Sequence, residues 1–148
     1  FKLLRYRLGR AVLRDIDTRP LITQGLKAGF GDPTLVDGAM IDRYVELGRA
    51  TGHRDILLTM QTNRSPSAAA TPAKLARIKV PTLVMHGEVD VIVPPADGQA
   101  FAQAIPGSVL ILYPKVGHVP MEEVAAKSAA DLDGWLQDKG LGAVPPAL

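Results

Sequence analysis

The sequence predicts an α/β fold in which a helical first part, residues 1–72, is followed by a parallel strand–helix–strand–helix arrangement in residues 73–148. Before residue 62, apolar residues recur at spacings of three and four, which is typical of amphipathic helices. After residue 72 the period changes, and short runs of β-branched and aliphatic residues alternate with helical patterns. The connection between the parts, Thr62–Pro72, is small, polar and proline-rich, as loops are.

Four helices are predicted in the first part. The first covers Lys2–Ile16, the second residues 21–30, the third Asp37–Ala50, and the fourth runs from His53 to about Gln61. The apolar stripe of the first helix comprises Leu3, Leu4, Leu8, Val12 and Ile16. The residues expected to be buried in the third helix are Met40, Ile41, Tyr44, Val45 and Leu47. A glycine, an aspartate and a proline after residue 30 end the second helix.

Two strands and two helices are predicted in the second part. Near-continuous apolar runs at residues 78–85 and 108–113 suit strands that are covered on both faces, as in a parallel sheet. A helix over Pro95–Ile105 connects them, and a last helix runs from Met121 to Lys139, where a glycine stops it. The inward residues of the connecting helix are expected to be Ala100, Phe101, Ala104 and Ile105. This order of elements forms a right-handed βαβ arrangement.

An aspartate and a histidine follow the two predicted strands. Asp90 lies at the carboxyl end of the first strand, and His118 follows Gly117 after the second. Open α/β sheets place functional groups at this edge, and an aspartate there can fix the tautomer of a histidine that acts as general base. The pair therefore predicts two members of a catalytic triad. The alternatives are a turn aspartate bonded to nearby backbone N–H groups and a surface loop histidine.

No nucleophile accompanies this pair in the sequence. The serines are Ser65, Ser67, Ser108 and Ser128, and none lies in a G-x-S-x-G elbow. The absence of cysteine excludes a cysteine nucleophile, disulfides and thiolate metal sites. In hydrolases with this chain order the nucleophile precedes the aspartate, so we expect it upstream of Phe1. The chain is then expected to hold the second half of an enzyme.

The segment from about Lys79 to Leu136 resembles the C-terminal end of the α/β-hydrolase fold. It has a strand that ends in G-x-x-D at Gly87–Asp90 and continues to an I-V-P tripeptide at Ile92–Pro94. A helix, a second strand, the dipeptide Gly117-His118 and a closing helix follow. Each piece is weak alone, but the combination at these spacings is specific.

The first part is similar to the helical cap that many members of this fold insert between strands six and seven. The tetrapeptide F-G-D-P from Phe30 and the tripeptide D-R-Y from Asp42 resemble the junctions of such cap helices. The resemblance thus divides the chain into a cap, or lid, over residues 1–72 and the C-terminal part of the hydrolase core over residues 73–148.

The resemblance implies a hydrolase that cleaves an ester, epoxide, carbon–halogen or carbon–carbon bond with water. Asp90 and His118 would act with an upstream serine or aspartate, without a cofactor, on a small apolar or amphiphilic substrate. The chain alone is expected to be inactive, because the nucleophile and the oxyanion donors would be missing. Two strands with open edges also lead us to expect marginal stability or self-association.

Charge suggests a second class of function. Residues 1–80 carry 14 Lys and Arg against 7 Asp and Glu, whereas residues 81–148 carry 3 against 8. The basic helix over Lys2–Ile16 could dock on an anionic membrane surface or a partner protein, with the α/β part as a scaffold. The alternative is an ordinary solvated helix face. A nucleic-acid partner is not expected, because aromatic residues do not interleave the basic ones.

The remaining polar residues are given structural roles. Adjacent Glu122 and Glu123 are interpreted as charges that favour the start of the last helix. His86 is interpreted as a packed or gating residue, and His53 is expected to face solvent. Three scattered histidines give little support for a metal site. No stretch approaches the roughly 20 apolar residues of a membrane-spanning helix.

Overall fold

The computed structural model describes residues 17–53, residue 56 and residues 70–141. Two α-helices with a 3₁₀ turn between them come first: α1, Arg19–Gly29; the turn, Pro33–Leu35; and α2, Gly38–Arg49. The later elements are α3, Pro72–Leu75; β1, Leu83–Gly87; α4, Pro95–Ala104; β2, Val109–Tyr113; α5, Pro120–Glu123; and α6, Ala125–Asp138. A helical part is therefore followed by strands and helices in alternation, as predicted.

The two strands form a parallel pair. Their register runs from Leu83 opposite Val109 to Gly87 opposite Tyr113, and α4 makes the crossover between them. The parallel strand–helix–strand–helix order is confirmed. β1 begins at Leu83 rather than at residue 78, because the Ile78 N–H bonds back to Leu75 at the end of α3 and the proline at position 81 has no N–H to donate.

The described residues fall into two compact units. The first comprises residues 17–27, 36–53 and 56, and the second comprises residues 28–35 and 70–141. The short segment 28–35 therefore belongs with the strands, although it precedes them in the chain. The division of the chain into a cap and a core at residue 72 stays a prediction.

The first unit contains most of α1 and all of α2. The Asp37 side chain caps α2 by accepting a 2.7 Å hydrogen bond from the Met40 N–H, which satisfies a donor that has no partner within the helix. Val45 is buried, but Leu47 is 54% exposed, so its predicted burial is wrong. The predicted second and third helices are confirmed, whereas the first and nearly all of the fourth lie outside the described residues.

The second unit has its core around the sheet and the loops that follow it. Its buried residues include Phe30, Ile105, Tyr113 and Val116. Phe101 is 41% exposed, contrary to prediction, because Gly98 is the residue of α4 that packs closely on β1. The predicted last helix is broken at Val124, whose ψ of 48° is not helical. Its later part, α6, ends at Asp138, and Gly140, the residue predicted to stop it, follows with a positive φ.

Candidate active site

Asp90 is presented by the turn that follows β1. The turn is tied to the second strand and the loop after it, because the Glu88 N–H donates to the Tyr113 carbonyl and the Val89 N–H to the Val116 carbonyl. The Asp90 side chain is only 2% exposed. Its Oδ1 accepts hydrogen bonds from the N–H groups of Ile92 at 2.8 Å and Val93 at 2.9 Å. One carboxylate oxygen is thereby committed to the backbone.

The other carboxylate oxygen of Asp90 faces His118. The distance from His118 Nδ1 to Asp90 Oδ2 is 2.8 Å. An ionised carboxylate only accepts hydrogen bonds, so this contact requires a proton on Nδ1, and in the neutral imidazole Nε2 then carries a free lone pair. The His118 side chain is 38% exposed, in contrast to its partner. The structure thus brings together the two residues that the sequence predicted as a pair.

The surroundings of Asp90 favour its ionised form. Burial by itself raises the pKa of this carboxyl, but the hydrogen bonds from His118, Val93 and Ile92 and the charge of His118 outweigh it. The net pKa of Asp90 is lowered from its ordinary value. A lowered pKa keeps the carboxylate charged, which is the form that can stabilise an imidazolium.

The lowered pKa of Asp90 predicts a dependence of stability on pH. The unfolded chain binds this proton more readily than the folded one, so the stabilisation is present above about pH 3.9, the ordinary pKa of an aspartate, and is lost as the pH falls through the folded value. We expect the free energy of unfolding, measured with urea, to fall less steeply between about pH 5 and about pH 2.5 in Asp90→Asn than in the wild type. Asp97→Asn, an exposed aspartate of α4, is the matched control, and equal slopes in all three proteins would contradict the assignment.

Three glycines let the main chain pack closely around the pair. A Cβ at Gly87, the last residue of β1, would lie 1.9 Å from the Gly117 carbonyl oxygen. A Cβ at Gly117 would lie 2.2 Å from the Gly29 carbonyl oxygen, and one at Gly31 would lie 2.1 Å from the Lys115 carbonyl oxygen. Real Cβ atoms do not approach other atoms so closely, so these positions admit only glycine in this geometry.

Glu123 is the residue of this region that sequence reasoning missed. Its carboxylate accepts three backbone hydrogen bonds, from Gly31 at 3.1 Å, Asp32 at 3.0 Å and Gly117 at 2.8 Å. It is the last residue of α5, which has only four residues. The sequence predicted only its interaction with the dipole at the start of the helix, which is less specific than these three hydrogen bonds. The six-residue spacing from Gly117 gives no periodic signal that could have revealed the contact.

His86 lies on the other side of Asp90. Its Nε2 is 3.0 Å from the Val93 carbonyl oxygen and 3.3 Å from Asp90 Oδ2. Its ring packs on Gly98, where a Cβ would come within 2.7 Å of Nδ1. The side chain is therefore packed, as predicted, and it holds the loop that carries Asp90.

The other candidates from the sequence are not part of this arrangement. Ser108 and Ser128 each donate their hydroxyl to a main-chain carbonyl, of Ala102 and Ala125, and Ser65 and Ser67 lie outside the described residues. The described part of the chain holds no group of three His, Cys, Asp or Glu residues arranged for a metal ion. Among the described helices, none is long and apolar enough to cross a bilayer.

A model of a known protein family matches the region of this site. The sequence model of the family described as "Serine aminopeptidase, S33" matches residues 53–125, which include both Asp90 and His118. The lipase named Lipase 3 from Moraxella sp. (strain TA144) is 35% identical over 57 residues, which are 38% of this chain and 18% of the lipase.

Solved structures resemble the chain over most of its length. A serine hydrolase involved in carbazole degradation, the CarC enzyme, is 27% identical with a TM-score of 0.73, over 82% of this chain and 48% of that enzyme. A meta-cleavage product hydrolase, the CumD A129V mutant, is 17% identical with a TM-score of 0.69, over 87% and 49% of the two chains. An esterase from Exiguobacterium antarcticum is 19% identical with a TM-score of 0.66, over 82% and 43%. The chain spans just under half the length of each of these structures.

Proposed function

Because the chain belongs to the α/β-hydrolase fold superfamily, we propose that it supplies the acid and the base of a catalytic triad, Asp90 and His118, to a hydrolase. The observation that carries this proposal is the 2.8 Å contact between His118 Nδ1 and the buried Asp90 carboxylate. The contact lies after the carboxyl ends of two parallel strands, where open α/β sheets place catalytic groups. The alternatives, a turn aspartate and a surface loop histidine, do not explain why the two side chains are in contact.

We assign the nucleophile to a serine that precedes this chain in the intact enzyme. Two findings favour serine over aspartate: the matching family is described as a serine aminopeptidase, and the enzyme that is 27% identical is a serine hydrolase. The chain corresponds to 48% of that enzyme's length, which leaves ample sequence for a nucleophile elbow and oxyanion donors. The intact protein is proposed to contain both.

The geometry of the pair gives each residue a defined task. With Nδ1–H held by Asp90, the free lone pair on Nε2 of His118 takes the serine proton as the serine oxygen attacks the substrate carbonyl. The Asp90 carboxylate stabilises the imidazolium that forms, and His118 then returns the proton to the leaving group. Water, activated by the same histidine, hydrolyses the covalent intermediate.

The substrate proposed for the intact enzyme is a small apolar or amphiphilic molecule with an ester or carbon–carbon bond to be hydrolysed. The similar proteins support this class, because they include a lipase, an esterase and a meta-cleavage product hydrolase. A serine triad is suited to both reactions, since each passes through attack on a carbonyl carbon.

The proposal is tested with a fluorophosphonate probe, which labels activated serines whatever the substrate. We expect the protein translated from the complete reading frame to be labelled and to hydrolyse p-nitrophenyl esters. We expect this chain alone to show neither reaction and to equal its own His118→Ala variant, since a lone dyad cannot form a covalent intermediate. An elbow aspartate in the complete reading frame would redirect the proposal to epoxide or carbon–halogen hydrolysis, and the absence of both elbows would refute it.

A further inference from the structure

The carboxylate of Glu123 joins two segments that are far apart in the chain. Gly31 and Asp32 follow α1, whereas Gly117 directly precedes His118, and all three donate their N–H groups to this one side chain. Hydrogen bonds to an ionised acceptor are stronger than bonds between neutral groups. Three such bonds use most of the acceptor capacity of a carboxylate.

The main chain of His118 is held from a second direction as well. Its N–H donates to the Gly29 carbonyl oxygen at 2.5 Å, while the N–H of Gly117 donates to Glu123. Two successive peptide groups are thus bound to the segment 29–32 and to the side chain that anchors it. A rotation of these two peptide groups would break at least one of these bonds, so the bonds fix the main chain from which the His118 ring extends.

The glycines at this junction make the two segments depend on each other. Gly117 lies so close to the segment that a Cβ there would be 2.7 Å from the Gly31 nitrogen and 2.8 Å from the Phe30 carbonyl carbon. A contact of backbone against backbone has no side chain that can move to absorb a displacement. A change in the segment 29–32 is therefore transmitted to the histidine loop.

The contacts of Glu123 argue against a role that is limited to the helix dipole. It lies in the single turn of α5, and Val124 interrupts the helix before α6 starts at Ala125, but its carboxylate accepts hydrogen bonds from three N–H groups outside that turn. The three hydrogen bonds described end on Glu123 and not on its neighbour Glu122, although both carry the same charge in α5. The bonds to the segment 29–32 and to Gly117 therefore depend on Glu123.

We propose that Glu123 is a positioning residue for the catalytic base: it binds the segment 29–32 to the histidine loop and so keeps the ring of His118 on Asp90. The catalytic role of His118 rests on the proposed function, whereas the positioning of its ring by Glu123 does not. The partner of Glu123 is thus a stretch of main chain rather than a substrate.

The first test is amide hydrogen exchange in this chain, comparing the wild type with Glu123→Gln and with Glu122→Gln as the matched control. Glutamine keeps the size of glutamate but replaces one acceptor oxygen by an amide group that faces N–H donors. We expect the N–H groups of Gly31, Asp32 and Gly117 to exchange about 10-fold to 100-fold faster in Glu123→Gln, the factor that corresponds to losing one or more charge-assisted bonds, and to be unchanged in Glu122→Gln.

The second test reads the ring of His118 directly. In the wild type, the proton on Nδ1 is expected to give a low-field NMR signal because it lies between His118 and Asp90. We expect this signal to weaken or broaden in Glu123→Gln and to persist in Glu122→Gln, at a temperature where far-UV circular dichroism shows that all three proteins are folded. A purely structural glutamate would lower the unfolding temperature without affecting the signal of the folded protein.

The outcomes separate this proposal from the proposed function. Rapid exchange of the three N–H groups in the wild type, or an unchanged His118 signal in folded Glu123→Gln, would overturn the positioning role. An unlabelled complete protein, with the NMR effects present, would overturn the hydrolase and leave the positioning role intact.

Discussion

Replacing Asp90 by asparagine in the proposed complete enzyme is expected to lower kcat about ten-thousandfold, the loss that such a change causes when a triad histidine is held in the wrong tautomer. The hydrogen bonds from Ile92 and Val93 require an acceptor at the Oδ1 position, so the amide oxygen must lie there. The amide N–H₂ group then faces His118 Nδ1. Because that group donates, it forces the His118 proton onto Nε2 and removes the base.

The test measures kcat with a p-nitrophenyl ester and the tautomer of His118 by ¹⁵N NMR. Asp97→Asn is the matched control, since it makes the same chemical change at an exposed position in the first turn of α4. We expect its kcat to remain within about twofold of the wild type, as is usual for surface substitutions. The assigned role of Asp90 would be wrong if His118 keeps its proton on Nδ1 in Asp90→Asn, or if the kcat of this variant is similar to that of the control.

Gly87→Ala is expected to destabilise the protein by at least about 3 kcal/mol, at the upper end of what overpacking costs. The added Cβ would lie 1.9 Å from the Gly117 carbonyl oxygen and 2.3 Å from that of Val116. Both obstacles are backbone atoms, so the clash is relieved only if the end of β1 moves away from the histidine loop. The Asp90–His118 contact would be lost with that movement.

Gly134→Ala is the matched control for this substitution, because it makes the identical change in the same unit. Gly134 lies within α6, and a Cβ there meets nothing within 4 Å. Alanine has the higher helix propensity, so we expect a gain of about 1 kcal/mol. Urea unfolding at constant pH measures both changes, and a loss of the same sign and size at the two positions would contradict the steric argument.

The contact between Asp90 and His118 could be predicted from the sequence because its signals are local. Each of Asp90 and His118 follows a short apolar run closely, and the rule that functional groups gather at the carboxyl ends of parallel strands needs no further distance information. The helix that starts after Asp37 could also be predicted from the sequence, because an N-cap residue and an apolar stripe mark it. In each case the residues that determine the structure are near neighbours in the chain.

The features that escaped prediction depend on residues that are distant in sequence. The role of Glu123 requires Gly31, which precedes it by 92 residues, and no spacing rule connects the two. The glycine at position 87 could be seen as the end of a strand, but the approach of the Gly117 carbonyl could not. The predicted burial of Phe101 was wrong for a similar reason. The apolar stripe of α4 does not reveal that Gly98, and not Phe101, packs closely on β1.

The long separation between Glu123 and the segment it binds has a consequence for folding kinetics. Closing a loop of 91 or 92 residues costs chain entropy before the hydrogen bonds form. The pairing of β1 with β2 closes a much shorter loop, because only the crossover through α4 separates the two strands. During refolding we therefore expect the strands to pair first and the junction at Gly117 to close in a later step. The imidazole would then reach its final orientation only after β1 and β2 have already paired.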